Sequence, residues 1–173
     1  MAKTLIIYYS RAGENYVNGQ IVSLPVGQTA KAVTYLEEAT GADVFPLEPL
    51  RTYSKDYTAC TQEALAEEKA QARPGLTKML TDVTPYGRII VAGPCWWGTF
   101  PMFIFTQLEA LDLSGKDVYV LMTHEGSGLG HVMRDLQQSC PGASVVDGLA
   151  VHGADVEQEK GRIQAWGKEI SDS

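Results

Sequence analysis

The strongest constraint on the fold is a recurring pattern. Short apolar runs, rich in β-branched residues, each end abruptly in a loop and give way to a helix-forming segment. The first run, Leu5 to Tyr9, is continuously apolar, as expected of a strand buried on both faces. Further runs lie at 43–49, 88–92, 116–122 and 144–152, the last interrupted by Asp147-Gly148. Pro46 cannot donate to a ladder, which assigns the second strand to an edge or ends it early. Between the runs, helices are expected over 29–40, 57–73, 102–111, around Val132, Met133 and Leu136, and over 155–170. Gly41 stops the first helix and Pro74-Gly75 breaks the second. Asp155 and Gln158 have capping-box spacing at the start of the last, and 76–80 could add another helical turn or two. Such alternation dictates a parallel sheet covered by helices on both faces, with right-handed crossovers. No shift in composition divides the chain, so residues 1–173 are expected to form one domain.

One irregularity sits early. Asn18-Gly19 lies between the flanks Tyr16-Val17 and Ile21-Val22, the strongest short-range signal for a β-hairpin. Residues 14–26 therefore read as an excursion inserted between the first strand and its helix.

Charge and composition exclude several classes. Acidic residues outnumber basic ones, 21 to 14, for a net charge of −7. No Lys/Arg cluster is available to release phosphate counterions, which argues against a nucleic-acid partner. The acidic surface suits solubility and would suit docking to a basic partner surface. No stretch is long and apolar enough for a membrane span, and the N-terminal run is too short for a signal sequence, so the expected location is the cytoplasm. Cys60, Cys95 and Cys140 lack metal-ligand spacing, and an odd count suits no disulfide framework; no metal is expected.

In folds of this class, ligands sit beyond the carboxyl ends of the strands. Three unusual loops lie there. The first contains Ser10, Arg11, Ala12 and Gly13, and it returns through Gly27-Gln28-Thr29 into a helix, where backbone N–H groups and the helix dipole attract an anion. It has no Gly-Lys-Ser/Thr tripeptide and no Gly-x-Gly-x-x-Gly, which counts against nucleoside triphosphates and weakens a dinucleotide site. The second, from Gly93-Pro94-Cys95-Trp96-Trp97 to Gly98-Thr99-Phe100-Pro101, carries two adjacent indoles that a loop cannot bury together in an ordinary core. A flat aromatic ligand could cover them, or they cap the sheet. The third, Thr123-His124-Glu125-Gly126-Ser127-Gly128-Leu129-Gly130, allows close backbone approach to a ligand edge. No Ser-His-Asp order or carboxylate pair stands out, and Cys95 reads as a packing residue. A regulatory domain of receiver type would need paired acids after strand one and a lysine after strand five. The chain offers Ser10-Arg11 at the first place and no lysine at the second.

Taken together, Tyr9 to Gly13, Gly93 to Pro101 and Thr123 to Gly130 resemble the flavodoxin-like family, and more narrowly its small bacterial members with a Trp-Trp-Gly-Thr second loop. The resemblance spans essentially the whole chain. It implies an α/β three-layer sandwich, a five-stranded parallel sheet in the order 2-1-3-4-5, and one non-covalent FMN. It also implies that Ser10 and Thr29 offer hydroxyls to the phosphate, with Arg11, Ala12, Gln28 and Ala30 as further donors. Pro94, Cys95, Trp96, Trp97 and Gly98 would line the ring, with Thr123, Glu125 and Gly126 on its other side. The hairpin leaves two residues able to close the phosphate loop. Gln28-Thr29 is preferred because it abuts the helix, and Asn15 becomes a candidate for the ribityl chain. Two activities remain open. One is NAD(P)H-dependent reduction of a planar, quinone-like acceptor, with Tyr53, Tyr57 and His124 as further wall residues. The other is electron carriage to a partner protein.

Overall fold

The computed structural model describes residues 3–173. Strand β1 (Lys3–Tyr8) sits second in a five-stranded parallel sheet with β4 (Asp43–Pro46), β5 (Tyr86–Pro94), β6 (Asp117–His124) and β7 (Ser144–His152), in the order β4-β1-β5-β6-β7. With the hairpin strands set aside this is the expected order 2-1-3-4-5, and Pro46 lies on the edge strand.

The two-residue period of β1 divides the core. Leu5 and Ile7 face one side, where they join Ile89, Val91 and Val120 under Phe103, Leu108 and Leu136. Ile6 faces the other side, with Ile90 and Leu121 against Ala32, Val33, Leu36, Ile163 and Trp166. Helices α1 (Gln28–Thr40) and α5 (Lys160–Asp172) therefore cover one face. Helices α2 (Tyr57–Ala70), α3 (Met102–Glu109) and α4 (Val132–Ser139) cover the other. Gly41 ends α1 in the left-handed conformation and donates its N–H to Glu37. The Asp147-Gly148 interruption coincides with a register shift between β6 and β7, and Asp147 accepts the Trp166 indole N–H at 2.9 Å.

The inserted ribbon forms as the sequence predicts. Strands β2 (Gly13–Val17) and β3 (Gln20–Leu24) pair antiparallel, with Asn18 and Gly19 both at positive φ in the turn, as a two-residue hairpin requires.

Three local expectations are corrected. Residues 76–80 form no helix, because long-range partners take their backbone. Leu76 bridges Pro49 in antiparallel fashion. The fully buried Gln107 side chain donates to Leu80 O and accepts from Leu80 N at 3.1 and 2.8 Å. The last helix begins at Lys160 rather than Asp155. Gly153–Asp155 is a 3-10 turn, and the Asp155 carboxylate pairs with His152 instead of capping a helix. Helix α2 stops at Ala70, since Gln71 is left-handed at φ 48°.

Candidate functional site

Beyond the carboxyl ends of β1, β5 and β6 lies a cleft of about 350 Å³, walled by all three unusual loops together with the hairpin and α2. Its parts differ in chemistry.

One end is polar and is built on the start of α1. Gly27 caps the helix without a side chain, and no acidic residue stands in the first turn. Ser10 Oγ instead accepts the Ala30 N–H at 3.0 Å, which leaves the serine hydrogen free to donate. Thr29 is buried, and its hydroxyl lies 2.7 Å from that of Thr123 at the end of β6. Whichever hydroxyl donates within this pair, the other retains a hydrogen for a ligand. Gln28 Oε1 is buried without a hydrogen-bond partner, an acceptor left open beside the cleft.

The opposite wall is aromatic. Trp96 N–H donates to Thr99 O at 2.8 Å, and the turn between them holds Trp97 at φ 60° and Gly98 at φ 84°. Left-handed backbone is an outlier for a residue as bulky as Trp97, and such strain persists only where the surroundings enforce it. The two indoles have different settings. Trp96 packs edge-on to Tyr9, Tyr53 and Phe103, with centroids 5.2 to 6.0 Å away. Trp97 stays 47% exposed and ties its Nε1–H to Thr61 O of α2 at 2.8 Å.

Loops two and three are locked together by backbone. Cys95 N donates to Thr123 O at 2.8 Å and His131 N to Gly98 O at 2.7 Å. Gly130 comes so close that a Cβ there would sit 2.1 Å from Gly98 O. The hairpin is held mostly through side chains. Arg11 donates to the carbonyls of Glu14, Ser54 and Lys55. Glu14 Oε1 accepts the Tyr57 N–H at 2.7 Å, and Tyr16 stacks on Tyr57 at 6.1 Å.

Beside Thr123, the His124 imidazole accepts the Gly126 N–H on Nδ1 at 2.9 Å, so its neutral form carries the proton on Nε2. Burial, reinforced by nearby His152, holds its pKa below the usual histidine value. His152 behaves oppositely. Its Nδ1 lies 3.0 Å from Asp155 and its Nε2 2.5 Å from Glu125, so both carboxylates favour the imidazolium, Asp155 more strongly, and the pKa rises above 6.5. A raised folded-state pKa contributes stability that is complete below 6.5 and vanishes as pH climbs through the folded value. His152→Gln should therefore lower the melting temperature in mildly acidic buffer and leave it nearly unchanged in alkaline buffer. Paired thermal melts at the two pH values check this.

Of the residues expected from sequence, Ser10, Arg11, Asn15, Gln28 and Thr29 reach the cleft from the first loop and the α1 start. Pro94, Cys95, Trp96 and Trp97 reach it from the second, and Thr123 and Glu125 from the third. Four others do not line it. Ala12 is exposed, the Ala30 N–H is taken by Ser10, the Gly126 N–H is taken by His124, and Gly98 packs under the His131 ring. The Arg11 guanidinium is committed to backbone carbonyls, and the Asn15 amide donates to Arg11 O and Gly13 O. Of the further wall residues, Tyr57 and His124 line the cleft. Tyr53 does not: it is buried behind Trp96 and donates to Glu67 at 2.6 Å. Sequence reasoning missed Tyr16, Cys60, Thr61, Ala64 and Gly153. The tyrosine had a signal, an aromatic on a ribbon inserted next to the first loop; the α2 residues had none. Among the described residues no helix is long and apolar enough to cross a membrane, and no group of three or more His, Cys, Asp or Glu is placed to hold a metal ion.

A family model for flavodoxin matches residues 21–170. Among solved structures, a candidate flavoprotein from Bacteroides eggerthii aligns with TM-score 0.77 and 23% identity, over 100% of this chain and 99% of that one. Another from Bacteroides uniformis gives 0.70 and 25%, over 95% and 97%. A flavoprotein from Lactobacillus acidophilus, solved in complex with FMN, gives 0.66 and 19%, over 91% and 98%. A comparison with curated protein sequences returned no match. Family match, parallel sheet and converging loops agree: the chain belongs to the flavodoxin family.

Proposed function

We propose that the cleft binds FMN non-covalently and that the protein is a redox flavoprotein, passing electrons from NAD(P)H to a planar, quinone-like acceptor. The observation that carries this reading is the division of the cleft into a hydroxyl-rich end at a helix N-terminus and an aromatic end at Trp96 and Trp97. A phosphate and a flat ring on one ligand call for those two surfaces in one cleft. Binding of FMN to the Lactobacillus acidophilus protein, of similar fold, supports the same assignment.

The residues present fit the group. A phosphate dianion would meet the Ser10 hydroxyl, first-turn N–H groups of α1 and the helix dipole, all neutral donors, since the Arg11 guanidinium is engaged elsewhere. Gln28 Oε1 is an open acceptor for a ribityl hydroxyl. Trp97, held by Thr61, offers an indole as a ring wall, and Trp96 backs it from the core. Bound FMN supplies reversible one- and two-electron transfer. His124, neutral and carrying a proton on Nε2, would donate a hydrogen bond to a ligand in the cleft. The cleft continues along α2 past Tyr57, Thr61 and Ala64, a partly apolar wall for a flat acceptor.

The net charge of −7 favours a second reading, carriage of electrons to a basic partner protein. One experiment addresses both. Protein purified without added flavin should be yellow and release FMN on denaturation, and NADH or NADPH should bleach it. Colour without bleaching would favour the carrier. A colourless protein that FMN cannot reconstitute would sink the flavin assignment.

A further inference from the structure

We propose that the hairpin is a self-association edge: β3 pairs antiparallel with β3 of a second copy across a two-fold axis, making a four-stranded ribbon beside the two clefts. This inference does not depend on the cofactor.

The supporting observation is an edge strand with none of the usual protections. Edge strands are normally blunted by charge, proline or a bulge, because their free N–H and C=O groups recruit other strands. In the main sheet, edge strand β4 carries Asp43 and Pro46, and edge strand β7 carries Asp147 and a register shift. Strand β3 has no charge, no proline and an unbroken register, and four of its five residues are exposed. Residues 15–30 contain no charged side chain, in a chain of net charge −7. Ile21 is 51% and Val22 37% exposed.

Hydrogen-bond parity shows which groups are free. With a two-residue turn, Val17 and Gln20 form a hydrogen-bonded pair, and so do Asn15 and Val22. Glu14 and Tyr16 on β2, and Ile21 and Ser23 on β3, therefore point their backbone groups outward. On β2 the outward Glu14 carbonyl is already taken by Arg11 Nε at 3.0 Å. On β3 the outward groups of Ile21 and Ser23 face solvent.

The charge balance selects the occupant. A basic partner is drawn to the acidic surface, whereas two copies, each at −7, approach at least cost through a neutral face. The three charged residues at the ribbon's root are internally engaged: Arg11 with carbonyls, Glu14 with Tyr57 N, Glu125 with His152. The edge is also self-complementary. Centred on Val22, an antiparallel pairing sets Ile21 opposite the partner's Ser23, each exchanging its free N–H and C=O, and places Val22 against the partner's Val22 in the closely spaced position. Anchoring of β2 by Arg11, Glu14 and Tyr16 presents the edge preformed, which lowers the ordering cost of association.

Light scattering with sedimentation velocity should show the mass rising from 18.8 kDa towards twice that value with concentration. Ser23→Pro, which removes an outward N–H that β2 does not use, and Val22→Lys, which sets two ammonium groups face to face, should each restore the single chain. Val22→Cys needs no loss of stability to be read. It should form a covalent dimer under mild oxidation, while wild type and Gln20→Cys do not. A chain that stays single at every concentration and a Val22→Cys variant that fails to cross-link would overturn the proposal and leave the edge to a strand from another protein. A dimer that both edge variants leave intact would overturn it equally, by placing the interface elsewhere.

Discussion

Gly27→Ala should emerge from purification without flavin, with FMN affinity at least about a hundredfold below wild type, about two charge-assisted hydrogen bonds' worth. Gly27 has an ordinary φ of −66°, so the demand for glycine there is one of space. A Cβ would lie 2.2 Å from Ser10 Oγ and 2.5 Å from Arg11 O. The serine could rotate away, but only by giving up the Ala30 N–H. Arg11 O is backbone and already accepts from Asn15, so it moves only if the whole first loop moves. Overpacking of this kind costs roughly 1–3 kcal/mol in the fold. The larger consequence is separation of the Ser10 hydroxyl from the helix terminus. Flavin-quenching titrations and chemical denaturation of the flavin-free protein measure the two effects. Wild-type affinity in a folded Gly27→Ala would mean that the first loop does not anchor the phosphate.

The two tryptophans should separate stability from binding. Trp96→Ala removes an indole packed against Tyr9, Tyr53 and Phe103 and should destabilise the flavin-free fold by about 3 kcal/mol. Trp97→Asn leaves that cluster intact and places a residue tolerant of left-handed backbone at φ 60°. Its flavin-free stability should stay within about 1 kcal/mol of wild type, since relieved strain offsets the lost bond to Thr61. Its FMN affinity should nonetheless fall about tenfold or more, the scale of one lost aromatic contact. Denaturant melts without flavin, set beside binding titrations, distinguish the two. If Trp97→Asn binds FMN normally and a folded Trp96→Ala does not, the ring lies on Trp96.

What was legible in the sequence was what short spacing encodes. The apolar runs located the sheet strands, Pro46 assigned an edge, Gly41 ended a helix, and Asn18-Gly19 fixed a turn to the residue. The convergence of three loops followed from the strands being parallel, which puts their carboxyl ends on one edge of the sheet. Two of the failures have a different origin: a partner distant in sequence outbid a plausible local one. Gln107 claimed the backbone at Leu80 and Glu67 claimed the Tyr53 hydroxyl, whereas Asp155 was taken by a near neighbour, His152. The hairpin was legible, but its position over the cleft was not. That position depends on Glu14 meeting Tyr57 N and Tyr16 stacking on Tyr57, contacts that no local pattern announces.

The backbone joint between Gly98 and Gly130 has a mechanical consequence. Cys95–Thr123 and His131–Gly98 bonds weld the second and third loops into a single body, with no side chain at the Gly98–Gly130 contact to shear or rotate. Across the cleft, the first loop and its ribbon are fastened mostly by side chains, which can swing. The cleft is thus a vice with one fixed jaw. Of the two jaws, the one fastened by side chains yields at the lower cost when the cleft changes width.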